Sequence, residues 1–481
     1  MIPALGFQPD IPATTPGVFT DCTNIVPTLT GFKAAPSMTS AGYSALADTC
    51  RGTALITRLD NTRRFFAATP AAIYEDLGGT WTDRSRAGGY TAGGENRYRF
   101  AQFGNATLIA NQVDVLQVST DGAFADIADA PQARIIETVA GFVMALATVD
   151  ADNGDQSDRW WCSGLYDHLA WTPSAATQCA NGRLIDSPGE IRAGRKLGND
   201  MVVYKEKSMY LGQYVGPPVI WQWQQVPGDV GALSQECVVN IGTAHVFIGN
   251  DDFWMFDGTR PVSIGAPVRY WFFKNASRQY LYRTQGYYDR FNALVYWYFV
   301  SNKSAGVLDE CLIYNVKTGK WGRTTRSIAA PVEYVSPGIT FDDMGDVYET
   351  YDDIAGATYD SPQWFAQGQE SAVFDTAGLL QLLNGPALPS SITVHDAGDD
   401  SRYSTLSRVR PRFTLSPISG SLQAYFKEVE GDALQVGETA TLEDGKFDLM
   451  WSARWHRVQM NFTGEMEMNA YNLELTPDGT Q

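Results

Sequence analysis

The sequence predicts an all-β protein: a β-propeller of about six blades, a C-terminal β-sandwich and an extended N-terminal arm. Three observations predict it. A β-hairpin recurs at near-constant spacing. Aromatic and β-branched residues fill the apolar runs, which 45 Gly and 23 Pro punctuate, and no long amphipathic helix is evident. After Asp375 the short repeat gives way to longer alternating strands.

The clearest hairpin is Val246–Gly249 and Phe253–Asp257, joined by the polar turn Asn250-Asp251-Asp252 and left through Gly258. Five other segments repeat it. Phe65–Ala68 turns into Ile73-Tyr74, Leu108–Ala110 into Val115–Val118, and Phe142–Ala147 into Trp160-Trp161. Met201–Tyr204 turns into Met209-Tyr210, and Leu294–Val300 into Cys311–Tyr314. The markers Tyr74, Gln117, Trp161, Tyr210, Phe256 and Tyr314 lie 43, 44, 49, 46 and 58 residues apart. Propeller blades recur at roughly 40–50 residues. A large β-sandwich is the alternative, but so regular a period favours the propeller.

The Pro/Thr/Ala-rich segment 1–45 reads as the arm, 46–365 as the propeller and 366–481 as the sandwich. The acidic stretch Asp342–Asp353 closes the ring, with Tyr348 marking an extra or partial blade. Beyond it, Ser404–Leu415, Ser421–Glu428, Ala433–Leu442, Asp448–Thr463 and Glu465–Glu474 alternate as strands. Arg408, Arg410 and Arg412 share one face, and Val409, Pro411 and Phe413 the other.

The formal net charge of −18 argues against a surface that grips nucleic acid. Residues 259–326 are the exception, with eleven Lys/Arg against Asp289, Asp309 and Glu310. Such polarity suits a subunit whose basic flank meets an acidic flank of its neighbour, or mixed solvated loops. Arg269, Lys274, Arg278, Arg283 and Arg290 are the candidate interface residues. The run Arg269–Lys274 interleaves bases and aromatics, as single-strand binders do; in a β-rich repeat such aromatics pack between blades or subunits.

Six scattered cysteines without CxxC spacing, and four dispersed histidines, predict buried thiols and neither zinc nor disulfides. No apolar run is long enough to span a bilayer, and the N-terminus has no signal-peptide pattern. Asp150-x-Asp152-x-Gly154-Asp155 partly resembles a calcium loop, but its glycine falls one place early and no Glu closes it.

Catalytic patterns are missing: no HExxH, GxSxG, Walker A or GxGxxG before a helix. Acid pairs at Asp251-Asp252, Asp342-Asp343, Asp352-Asp353 and Asp399-Asp400 would suit a glycosidase, yet adjacent turn acids point apart and usually cap. The expectation is no enzyme, no cofactor and no metal. A propeller glycosidase and a receptor-binding propeller are the alternatives.

Several phrases resemble the tail nozzle proteins of short-tailed bacteriophages, also called tail hub or tail tubular proteins. Thr15 to Phe32, TPGVFTDCTNIVPTLTGF, resembles their "Pro-Gly … Asn-x-x-Pro … Gly" opening. Gly249–Gly258 followed by Ile264-Gly265 resembles one of their blades, although Asp252 stands where a glycine is usual. Tyr288-Asp289-Arg290 with Tyr314–Trp321 resembles the next blade, and Ser452–Arg457 with Phe462–Gly464 their C-terminal strand pair. The resemblance implies a homohexameric ring in the virion, below the head-to-tail adaptor and beside tail fibres or spikes. It implies a lumen through which genomic DNA leaves without specific binding, and no catalytic residues.

Overall fold

A computed structural model describes residues 1–335 and 369–479. All six predicted hairpins form. Each is the second and third strand of a four-stranded antiparallel blade: Leu146 faces Trp160, Tyr204 faces Met209, Val246 faces Met255 and Val295 faces Tyr314. Five of these blades are free-standing sheets, spanning Gly52–Asp83, Arg99–Asp126, Gln132–Arg183, Ile191–Val226 and Val239–Ser263.

A sixth free-standing blade escaped the repeat. Its strands are Ala330–Val335, Gln369–Phe374, Leu380–Leu382 and, from the other end of the chain, Thr39–Ser40. The remaining hairpin belongs to the strands Gln285–Asp289, Leu294–Phe299, Leu308–Asn315 and Trp321–Ile328, which take a seventh place in the ring but run on into a larger sheet. The inner strands neighbour one another in order around the ring, and Ala330–Val335 returns to Gly52–Thr57. The chain is therefore a closed β-propeller, which leaves only short edges.

Blade stacking explains the apolar runs. Leu294–Phe299 is buried at all six positions, because neighbouring blades cover both of its faces. Phe253 meets Trp297 and Trp321 edge-on at 5.2 and 5.1 Å, bridging adjacent blades. The long 58-residue spacing holds the one α-helix among the described residues, Arg269–Asn275, and a 3-10 turn, Arg278–Arg283. Its apolar side anchors the helix: Phe272 packs on Phe253 and Phe299, and Trp271 on Phe7.

The C-terminal part is a β-sandwich. One sheet orders Gly6–Phe7, Val18–Thr23, Ser390–Val394, Trp455–Thr463, Ser419–Lys427 and Gln435–Thr441, with Ala397–Gly398 beside Trp455–Thr463. The other is the far half of the larger sheet. From Trp321–Ile328 it continues through Ile25–Pro27, Phe32–Ala34, Glu467–Gly479, Tyr403–Leu415 and Phe447–Ala453.

Three expectations are corrected. The extended segment 1–45 is not a separate unit: its strands enter both sandwich sheets and the last blade, because each supplies backbone partners that would otherwise be missing. The ring extends beyond residue 365, since Gln369–Phe374 and Leu380–Leu382 complete that blade. Asp448–Thr463 is two strands, broken at Arg454 where the chain passes between sheets. Asp342–Asp353, with its acid pairs and Tyr348, lies outside the described residues.

Candidate interaction surface and the junction beneath it

The basic segment 259–326 is divided by the structure into internal and outward charges. Arg269 donates from Nη1 to Asp252 Oδ2 at 2.9 Å and lies over the Tyr270 ring. Asp252 is buried; it also accepts from the Phe253 amide at 2.8 Å and the Ser263 hydroxyl at 2.6 Å. The bonds of Arg269 to Asp252 and to the Tyr270 hydroxyl raise its pKa, Asp252 contributing most. Arg283 clasps Glu95, with Nε 3.0 Å from Oε2, donates to the Gly306 carbonyl at 2.6 Å and stacks on Tyr280. Burial opposes the Arg283 charge, but the bonds to Glu95 and Tyr282 outweigh it.

Further along, Arg323 is held by Glu310 and Asp21 at 2.9 and 2.8 Å and covers Trp271. Arg326 is buried, and Lys320 lies over Phe32 with its pKa lowered by burial. Lys274, Arg278 and Arg290 are exposed, with no side-chain hydrogen bond or ion pair among the described residues. They do not form one patch. Lys274 and Arg278 lie beside the helix end, whereas Arg290 follows the strand Gln285–Asp289, roughly 16 Å of extended chain further on.

Behind this surface lies the junction of blade and sandwich, built by the opening phrase of the chain. Gly17 has φ +91°, and a Cβ there would stand 2.4 Å from the Pro3 carbonyl oxygen. Asn24 accepts from the Thr324 hydroxyl at 2.9 Å and donates to the Pro389 carbonyl at 2.9 Å, tying together blade, arm and sandwich. At Gly31 an added Cβ would meet Met468 O at 2.3 Å. The two glycines of the phrase thus serve close backbone approach, and its asparagine cross-links three segments.

Asp150 and Asp399 serve their own turns, and Asp400 ties its turn to distant segments. Asp150 accepts from the Asp152 and Asn153 amides at 3.0 and 2.8 Å. Asp399 caps Ser401, and Asp400 accepts from the Glu430 amide at 3.1 Å and from Trp455 Nε1 at 2.5 Å. Among the described residues no group of three or more His, Cys, Asp or Glu is placed to hold a metal ion. The six cysteines are buried and unpaired. Burial pushes the thiols of Cys50 and Cys162 up to about 12.

No protein-family model matches the chain, and no curated protein matches it. Among solved structures, one described as YCF48 bound to D1 peptide is 12% identical, with TM-score 0.38, covering 75% of this chain and 97% of that chain. YCF48 from Cyanidioschyzon merolae is 10% identical, with TM-score 0.36, covering 73% of this chain and 99% of that one. A chain of a mitotic checkpoint complex is 8% identical, with TM-score 0.39, covering 73% of this chain and 95% of that chain. The fold rests on the strand pairing above, and similarity at this level carries no information about function.

Proposed function

We propose that this chain is a structural subunit of a ring-shaped assembly, the tail nozzle of a short-tailed phage, in the virion. In that reading six copies surround a lumen through which DNA passes, one end meets the head-to-tail adaptor, and fibres or spikes attach outside. The observation that carries the reading is the continuous sheet from a propeller blade through Ile25–Pro27 and Phe32–Ala34 into the sandwich. A shared hydrogen-bonded sheet makes one stiff body of two domains, as a load-transmitting part requires. The residues of the nozzle-like opening phrase lie at this joint, which supports the same reading. The acidic net charge suits a lumen that repels phosphates.

Mass photometry and negative-stain imaging of the purified chain, alone and with adaptor complexes from short-tailed phages, test the proposal. Six-fold rings are expected. A protein that stays monomeric at every concentration and joins no adaptor overturns it. The subunit is not an enzyme in this reading. Glycan turnover that disappears in Asp251→Ala protein would refute that part.

A further inference from the structure

The ring encloses a central channel whose wall is made by the inner strands Gly52–Thr57, Arg99–Phe103, Gln132–Val139, Ile191–Leu197, Val239–Asn240, Gln285–Asp289 and Ala330–Val335. Where several of these strands begin, the channel holds a cavity of about 190 Å³. Four arginines, Arg51, Arg97, Arg99 and Arg195, line it, and Glu236 is the one acidic residue in its wall.

Glu236 is already engaged. It reaches across from the segment before Val239–Asn240 to Arg99, whose Nη2 lies 2.6 Å from Glu236 Oε1. The Glu236 backbone carbonyl accepts from the Gly286 amide at 2.7 Å, so the loop is tied to a third blade. Neighbouring Gln235 bonds both backbone groups of Gly194, at 2.7 and 2.9 Å. This part of the cavity is therefore rigid. Arg195 has Glu137 at 3.7 Å, outside the cavity wall.

Arg51 and Arg97 differ from these. Among the described residues neither guanidinium has a hydrogen-bond or ion-pair partner, and Arg51 Nε is buried without one. Nearby Glu95 is committed to Arg283, and burial holds the Cys50 thiol protonated. Two arginine charges thus stand together in a confined space without a carboxylate of their own. Burial weakens the hold of Arg97 on its proton, Glu236 opposes this, and Arg51 adds to it. Both side chains are half-buried, and like charges crowded together without a partner are costly, a cost that a neutralising ion relieves on binding.

We propose that this cavity is an anion site for a compact oxyanion of the phosphate class, bound by Arg51 and Arg97 above the Arg99–Glu236 pair. Guanidinium forks match phosphate oxygens two at a time, and two forks favour a divalent ion. The cavity admits free phosphate or the phosphate end of a small ester.

Isothermal titration of the full chain with inorganic phosphate, at constant ionic strength set by chloride, tests this. One saturable site is expected, with a matching rise in Tm. Arg97→Gln should weaken it at least about tenfold, and Arg51→Gln likewise, whereas Arg408→Gln on the sandwich should leave it unchanged. Glycerol 3-phosphate separates the two sources: comparable affinity means the site takes phosphate esters, and binding of phosphate alone means it takes the free ion. In chloride, Arg97→Gln should be at least as stable as the parent, since it removes an unpaired charge. Should that variant not fold, Arg51→Gln decides alone. No binding at about 10 mM phosphate, or equal binding by parent and variants, overturns the proposal.

Discussion

Asp252 and Arg269 meet at 2.9 Å and join the turn of one hairpin to the first turn of the only described helix. The approach demands Gly265 between them, where an added Cβ would stand 2.2 Å from Asp252 Oδ1. Asp252 is the position that departs from the nozzle-like phrase, and here the carboxylate makes three bonds that glycine could not.

Removing this carboxylate should therefore be costly. Asp252→Ala strands the Ser263 hydroxyl and the Phe253 amide, and is expected to lower stability by about 2–4 kcal/mol. Arg269→Ala should cost less, because its side chain is partly solvated and its own share is screened. Urea unfolding of both variants checks the order. An Asp252→Ala protein as stable as the parent would show that the network contributes nothing.

Acidification should destabilise the fold through its buried histidines. Burial lowers the pKa of all four histidines, and that of His245 to about 4. Burial keeps His245 neutral and Arg195 adds to the effect, against the bond to the Lys196 carbonyl at 2.9 Å, which favours the charged ring; the Tyr204 hydroxyl lies 2.7 Å from the other ring nitrogen. The unfolded imidazole, near 6.5, takes up its proton first. Stability is thus full above about pH 6.5 and falls towards pH 4, by up to about 3 kcal/mol for His245 alone. Thermal melts between pH 7 and 4.5 should show this slope, and His245→Gln should flatten it. A flat profile in the parent would sink the argument.

Charge reversal should separate assembly from stability. Lys274→Glu, Arg278→Glu and Arg290→Glu change exposed groups and should weaken the proposed ring, most at low salt. Arg283→Glu instead opposes Glu95 within the subunit and should lower Tm in the monomer. Light scattering across a salt series, paired with melts, distinguishes the two effects. Rings unaffected by all three exposed reversals would remove the electrostatic part of the interface.

Duplex DNA should bind only weakly. Arg269, Arg283 and Arg323 are spent on internal carboxylates, and the rest of the chain is acidic. Fluorescence anisotropy at rising salt should show little affinity at physiological ionic strength. Tight binding with a steep negative salt slope would mean that Lys274, Arg278 and Arg290 face the path of the DNA.

The six hairpins were legible because each is local: two apolar strands, a polar turn and full burial between blades. The last described blade was not, because its fourth strand, Thr39–Ser40, is two residues long and carries no periodicity. The arm was misread for a related reason. Its strands of two to six residues satisfy backbone groups of distant partners, and prolines obscure their alternation. The basic excess was visible in the composition, but the pairing of Arg283 with Glu95, 188 residues away, was not. The channel arginines were not visible as a group, since Arg51 and Arg195 come from blades other than the one that Arg97 and Arg99 enter.

Ser40 pairs with Gln381, about 340 positions further along the chain. The last blade therefore cannot be completed until about 380 residues of the chain have been made. Residues emerging early from the ribosome must wait, unpaired, for strands that emerge near the end, and the closing contacts are among the most distant in sequence. Such non-local closure slows folding and prolongs the life of open-edged intermediates. Removing the segment through Ser40 would leave a blade with an unsatisfied edge, and removing the last strand would leave one in the sandwich, each free to pair with a second unfinished molecule.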